Sequence, residues 1–406
     1  MRIAFLSHYF PPEIGAPAAR VSELARVWAE SQDVTVLTGF PNHPTGRIPP
    51  EYRGRVFARE QKDGYAVFRC WLYATPNEGF SKRTLGHLSF MATSFLAGAF
   101  RLRRPDVLVA TSPTFFSVFS AWALGALYRA PFVFEVRDLW PGIFVELGIL
   151  KNRTLIRILE TLELWLYRRA ALVVTVTRGF AEDIIRRGIP GEKVVVIPNG
   201  ADLERYSPGP ARQSVRERMG AGLSNFLVLY IGAHGISHAL ERILEAAERL
   251  RGSPRIRFAF VGEGARKADL VRIASERGLA NVIFLPGQPR DAVPDFYRAA
   301  DLCLVPLRDV PLFSTFIPSK MFEIMACARP IVASVRGEAG EILEASGGAV
   351  VVPPEAAEAL ADAVEGLSRD PGKCAELGLA GRRYVEEHFD RRELAGKYLT
   401  ALERIA

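Results

Sequence analysis

Lys320 and Glu323 are the two side chains in this sequence best placed to hold a charged, hydroxylated ligand. They stand in PSKMFEIMACARPIVAS, residues 318–334. Pro318 and Ser319 are helix start signals, Pro330 ends the helix, and residues 331–333 resume an apolar run of strand type. The loop from Pro311 therefore empties into a helix N-terminus, where free backbone N–H groups and the helix dipole favour a phosphate. Lys320 adds a full charge on that first turn. Glu323 shares its face by i,i+3 spacing and can accept hydrogen bonds from vicinal hydroxyls. A diphosphate next to a ribose suits both groups, whereas the alternative is a surface ion pair worth only about 0.2–0.5 kcal/mol.

Other candidates sit where strands run into loops. Residues 232–238, GAHGISH, separate a strand at 226–231 from a helix at about 239–251. Gly232 lets backbone approach a phosphate, and His234 and His238 are either ligand contacts or ordinary loop residues. Asp138, with Arg137, leaves the end of a strand at 132–136 and either meets a substrate hydroxyl or caps the next turn. Near the N-terminus, Glu13 and Gly15 lie in the loop after the first strand. Arg20 follows as either a helix-surface charge or an anion contact. His43 stands in a polar stretch, 39–64, that reads as loop.

These loops need sheets to position them. Strands are expected at 2–6, 34–38, 107–110, 132–136, 172–176 and 194–197, and again at 226–231, 257–261, 282–285, 302–305, 331–333 and 349–352. Helical patterns intervene, so the fold class is α/β with doubly wound sheets. At 406 residues the chain is too long for one ordinary core. The expected division is 1–203, a linker at 204–222, and 223–389, with an amphipathic terminal helix at about 390–406.

Composition narrows the class. Hydrophobic residues make up 49% and charged residues 24%, as in a globular protein, and the net charge of +7 fits an anionic partner. Nucleic acid fits least, because there is no zinc-finger spacing, no RNA-binding aromatic motif and no dense basic tract. Cys70, Cys303, Cys327 and Cys374 lack metal spacing and read as reduced residues of a cytosolic protein. The sequence opens directly on a strand, without a signal-peptide pattern. One apolar helix, about 84–100, is bracketed by Lys82 and Arg83 and by Arg101, Arg103 and Arg104. It is too short to cross a bilayer, which takes about 20 residues, but it can lie on a membrane surface through Phe90 and Phe95 with its basic ends on lipid phosphates. The alternative is a core-packing helix with basic ends.

The pattern PSKxxExMAxxxPIVAS resembles the C-terminal signature of glycosyltransferase family 4, and PNG at 198–200 resembles that family's interdomain turn. Residues 15–20, GAPAAR, resemble a subgroup that assembles bacterial polysaccharides, including colanic-acid-type and N-acetyl-L-fucosamine transferases. The resemblance implies a GT-B fold, two Rossmann-like domains facing across a cleft, with the terminal helix crossing back to the first. It implies a retaining enzyme without a metal or other cofactor. Its donor would be a nucleotide-sugar, with UDP the expected nucleotide, held by the second domain. Glu323 takes the place of the ribose contact, Lys320 and Ser319 sit at the diphosphate, and Gln288 is the candidate near the base. Thr315 occupies the position, eight residues before Glu323, where relatives carry a second glutamate on the donor sugar. That loss suggests a 6-deoxy or acetamido sugar. Asp138 carries over from a His-Asp pair whose histidine is Arg137 here. The acceptor, a polyprenyl-linked saccharide, would meet Glu13 and Arg20 at the inner face of the plasma membrane. A GT-B epimerase or hydrolase acting on UDP-N-acetylglucosamine, with Asp138 and Glu13 as acid and base, is the first rival. A catalytically inactive sugar-nucleotide-binding protein is the second.

Overall fold

Apolar runs such as Ile3, Ala4, Phe5 and Leu6, buried at every position, form strands covered on both faces, the environment of parallel sheets. The computed structural model describes all residues except Pro44, 76–79 and Pro113, and leaves out the side chains of Phe80, Ser81 and Arg83. Arg83, nominated for a membrane contact, thus lies with its side chain outside the described residues. The chain divides into two compact units, Met1–Pro198 with Arg391–Ala406, and Asn199–Asp390.

The first unit holds β1 (Arg2–Ser7), β2 (Asp33–Gly39), β3 (Phe57–Lys62), β4 (Tyr65–Cys70), β5 (Val107–Thr111), β6 (Phe132–Val136), β7 (Leu172–Thr175) and β8 (Val194–Val196). Their order in the sheet is β3-β4-β2-β1-β5-β6-β7-β8. Ile3 pairs with Val34 on one side and Val107 on the other, both in parallel register. β3 pairs antiparallel, to β4. Residues 39–64 are therefore not all loop, as their polarity suggests: β3 is a charged, half-exposed edge strand, and a charged edge resists pairing with other chains. Asp63 and Gly64, at φ 45° and 86°, make the tight turn into β4.

The second unit holds β9 (Phe226–Ile231), β10 (Ile256–Val261), β11 (Val282–Leu285), β12 (Leu302–Pro306), β13 (Ile331–Ser334) and β14 (Ala349–Val352), ordered β11-β10-β9-β12-β13-β14. Its strands pair in parallel. Residues 204–222 lie within this unit. There the helix Gln213–Arg218 is anchored by Arg216, which donates to the Ala299 and Asn225 carbonyls at 2.7 and 2.8 Å and pairs with Asp301.

The terminal helix, Arg391–Glu403, belongs to the first unit, where Leu394, Ala395, Tyr398 and Leu402 join the core. Trp28, at the end of α1 (Ala16–Trp28), donates its indole N–H to the Ala395 carbonyl at 2.9 Å. Arg391 pairs with Glu23 and Arg392 with Glu30 along the same helix.

Arg20, also on α1, is 1% exposed. Its Nε donates to Glu135 on β6 at 3.0 Å, and its Nη atoms donate to the Ile197 and Pro198 carbonyls at 2.9 Å. It is therefore neither a helix-surface charge nor available as an anion contact: it is the internal counter-ion of a buried carboxylate. Removing one member of such a pair leaves the other charged and unpaired. Arg20→Met is expected to destabilise the first unit by about 3–5 kcal/mol in urea denaturation, and Arg20→Met/Glu135→Gln by less than the single variant.

Candidate active site

In the second sheet the strand order reverses between β9 and β12, and ligands of open parallel sheets bind beyond the carboxyl ends at such a point. Lys320 lies there, just after the segment that leaves β12. Its Nζ stands 4.0 Å from the centre of the Tyr230 ring and is buried with no hydrogen-bond partner. Burial pushes its pKa down to about 7, against the opposing pull of Glu323 and then Cys303. Gly232, at φ 147°, makes this possible: a Cβ at that residue would lie 2.5 Å from the Lys320 Nζ. A Cβ at Gly262 would in turn strike the Gly232 carbonyl.

His234 is fully buried, and neither ring nitrogen has a partner. Burial, then Lys267, lowers its pKa to about 4, and burial, Lys320 and His234 lower that of His238 to about 3. Both imidazoles are therefore neutral at pH 7. Lys267 is itself engaged, donating to the Gly262 and Leu285 carbonyls and to Glu263 at 2.8–3.1 Å. Sequence reasoning did not find Lys267 or Tyr230, whose roles appear only once the strand ends are side by side.

Glu323 is one turn beyond Lys320 and accepts from the Tyr297 hydroxyl at 3.2 Å. Burial and the Glu323 carboxylate hold both Tyr297 and Tyr206 in the neutral form, well above the usual tyrosine range. The helix Lys320–Ala326 has only seven residues, and Ser319 before it adopts αR backbone without a side-chain capping bond. The expected helix N-terminal phosphate site is thus weaker than the sequence suggests, and Lys320 supplies most of the positive charge. Thr315 bonds back to the Leu312 carbonyl at 2.7 Å within a short turn. Gln288 is 8% exposed, and its amide is engaged by Arg218 and the Pro286 carbonyl. Its side-chain oxygen and nitrogen each already have one protein partner.

The first sheet reverses its order between β1 and β5. Glu13, 8% exposed, accepts from the backbone N–H groups of Asn42 and His43 at 2.9 Å and of Phe10 at 3.3 Å. It clasps two loops together, and burial raises its pKa above the ordinary carboxylate value against the pull of those three bonds. Gly15 is exposed at the start of α1. Asp138 is half-buried, its N–H donating to Ser112 Oγ at 3.3 Å, and burial raises its pKa to about 6 against the pull of Arg137. A small cavity of about 40 Å³ nearby is lined by His8, Tyr9, Asn42, His43, Tyr73 and His87. His8 is 5% exposed with an unpartnered Nδ1, and burial, His87 and then His43 push its pKa well down. His8 directly follows β1 at the reversal point, a placement readable in the sequence.

The apolar helix is α2 (Phe80–Arg101). Phe90 is buried, 4.9 Å from the His8 ring, so it is a core residue and not a membrane contact. Small residues face inward: a Cβ at Gly98 would meet Leu124, and Ser94 bonds Ser120 at 3.1 Å. The larger side chains are left outside. Leu85, Leu88, Leu96 and Phe100 are exposed, Phe100 at 81%, and Lys82, Arg101, Arg103 and Arg104 are exposed at the helix ends. Phe95 is half-buried. Among the described residues no helix is long and apolar enough to cross a membrane.

The state of Lys320 has a measurable consequence. Its folded pKa, about 7, lies below the ordinary 10.5, so the unfolded chain binds the extra proton between those values. Wild-type stability therefore rises with pH across that window, by at most about 1.4 kcal/mol per pH unit from this group. Lys320→Met is expected to be more stable than wild type at pH 7 and to lose that advantage by pH 10, measured by urea denaturation of the second unit.

Two family descriptions match the chain: Glycosyl transferase 4-like domain over residues 15–200 and Glycosyl transferases group 1 over residues 212–384. Along 98% of its length the chain is 28% identical to the putative colanic acid biosynthesis glycosyl transferase WcaI of Escherichia coli K12, covering 99% of that protein. Over 53% of the chain and 48% of the relative it is 30% identical to the D-inositol 3-phosphate glycosyltransferase of Rhodococcus jostii. Among solved structures, sucrose-phosphate synthase from Thermosynechococcus elongatus superposes with a TM-score of 0.78 at 20% identity, covering 99% of this chain and 98% of the other. HepE of Anabaena, in complex with UDP and glucose, superposes with a TM-score of 0.74 at 19% identity, covering 99% of each chain. With both domains matched and two parallel-sheet units in place, the chain belongs to glycosyltransferase family 4, with the GT-B fold.

Proposed function

We propose that the protein is a retaining, metal-independent transferase. It moves a sugar from a UDP-sugar to a polyprenyl-diphosphate-linked saccharide during assembly of a bacterial surface polysaccharide. The observation that carries this reading is the buried, unpartnered ammonium of Lys320 one helical turn from Glu323. A cation kept out of water without a partner is strongly attracted to an incoming anion, and the attraction grows as charge builds on a departing diphosphate. Glu323 accepts from the ribose hydroxyls, and its bond from Tyr297 holds the carboxylate in place. Support for the donor comes from HepE, crystallised with UDP and glucose, and support for the pathway from WcaI, named for colanic acid biosynthesis.

In this reading the acceptor hydroxyl attacks the anomeric carbon from the face the diphosphate leaves. The hydroxyl proton passes to the departing phosphate, so no protein nucleophile is required. Lys320 does the electrostatic work that a divalent cation would otherwise do, with backbone at Gly232 and Ser319 of the second unit close to the ligand. Asp138, ionised above pH about 6, accepts a hydrogen bond from a substrate hydroxyl in the first unit. Thr315 offers a neutral hydroxyl where relatives present a carboxylate, which favours a 6-deoxy or 2-acetamido donor such as an N-acetyl-L-fucosamine nucleotide. The exposed leucines and Phe100 of α2, with the basic residues at its ends, rest on the inner face of the plasma membrane. There the lipid-linked acceptor is presented.

The test is release of nucleoside diphosphate from a panel of nucleotide-sugars, with a short polyprenyl-diphosphate saccharide as acceptor. Release is expected only with acceptor and to be highest with a deoxy or acetamido donor. Glu323→Ala should lower kcat/KM by about 10–150-fold, the loss of a charged hydrogen-bond acceptor. Equal use of UDP-glucose and every deoxy or acetamido donor would remove the specificity reading, and release without acceptor would indicate a hydrolase. Separately, Leu96→Glu/Phe100→Glu should weaken binding to vesicles of anionic lipid at least tenfold while leaving turnover on a water-soluble acceptor unchanged.

A further inference from the structure

Each of the other deeply buried guanidinium groups has at least one carboxylate or carbonyl partner, Arg391 through Glu23, although some nitrogens of Arg69, Arg216 and Arg391 are left without a hydrogen bond. Arg20 bonds Glu135 and two carbonyls, Arg69 bonds Glu60 and the Pro11 carbonyl, and Arg216 bonds carbonyls and Asp301. Arg137 is 9% exposed, yet among the described residues its guanidinium makes no hydrogen bond and no ion pair, with Nε and Nη1 both buried. Its backbone N–H donates to Ser112 Oγ at 2.8 Å. The neighbouring Asp138 N–H goes to the same oxygen at 3.3 Å, so the turn after β6 is pinned to the end of β5.

Two carboxylates act on Arg137 from nearby, and neither bonds it. Glu135 has one oxygen taken by Arg20 Nε and the other by Thr111 Oγ1 at 2.8 Å. Asp138 contributes only through space. Burial, opposed mainly by Glu135, lowers the Arg137 pKa only to about 10, so the group stays cationic at neutral pH. A buried cation with unused N–H donors destabilises the free protein, and it persists in sites that bind charge.

We infer that Arg137 binds an oxyanion carried by a substrate held at the carboxyl edge of the first sheet, a phosphate or a carboxylate. A guanidinium suits either, being planar, permanently charged and able to present several N–H groups to one oxyanion. The position is the one where binding loops of a parallel sheet collect. The inference rests on the transferase reading only for what carries the anion: the diphosphate of a lipid-linked acceptor, or the carboxylate of an acidic sugar. If Arg137 were instead an internal strut, the fold would need it and would supply its partners, as it does for Arg20.

The test is thermal denaturation of the full chain with inorganic pyrophosphate or with glucuronate. Wild type, Arg137→Met and Arg137→Lys are compared, and each is repeated with Lys320→Met so that the donor-side ammonium cannot account for the response. Without ligand, Arg137→Met should melt a few degrees above wild type, because an uncompensated buried charge is gone. Lys320→Met protein should still be stabilised by at least one of the anions. The midpoint of that response should rise at least tenfold with Arg137→Lys added, and the response should vanish with Arg137→Met added. A response to pyrophosphate alone identifies a phosphate-bearing substrate, and one to glucuronate alone a carboxylated sugar. A lower melting temperature for Arg137→Met, no response of Lys320→Met to either anion, or a response indifferent to residue 137 would overturn the assignment. No turnover is read, so failure of the transferase reading leaves this test standing, and a negative result here leaves the transferase reading intact.

Discussion

A lysine ammonium lies against the face of Tyr230 because residue 232 has no Cβ. The loops of the second unit are arranged around that constraint. Gly262 has to be glycine because the Gly232 carbonyl occupies the space its side chain would need. Lys267 then ties the Gly262 and Leu285 carbonyls together, so the ends of β10 and β11 are fixed relative to the loop after β9. The result is a positive group held in a site where two neighbouring imidazoles stay neutral. A buried lysine without a hydrogen-bond partner destabilises the unit that holds it.

The first unit shows the same economy in another form. Its deepest ion pair, Arg20 with Glu135, is fully enclosed and holds α1, β6 and the Ile197–Pro198 backbone together. Glu13 does the same for two loops, with three backbone N–H groups on one carboxylate. Those charged residues are structural. Arg137, whose backbone N–H is held by Ser112, is cationic, and among the described residues its guanidinium has no partner.

Strand periodicity and the PSKxxE stretch made the fold and the donor side readable from sequence, because both depend on residues close together in the chain. The hairpin of β3 and β4 was missed because an edge strand is polar, although Asp63-Gly64 was a legible turn signal. Arg20 and Glu135 are 115 positions apart, so nothing local revealed that one neutralises the other. On α2, the aromatic count pointed to a membrane-facing surface but chose Phe90, which is buried. Ser94, Ala97 and Gly98 set the inward face, and it takes the neighbouring helix to show that. That Lys320 and Arg137 lack partners is a property of three-dimensional surroundings and cannot be read from residue type.

The most direct measurement is the titration of the Lys320 ammonium itself, by NMR of protein carrying 13C-labelled lysine, with Lys320→Met used to assign the signal. In the free protein it should titrate near pH 7, far from the ordinary value of 10.5, and saturating UDP should move it up by two pH units or more. An ordinary lysine titration in the free protein, or a low value that UDP leaves unmoved, would contradict the claim that this ammonium is held in reserve for a diphosphate.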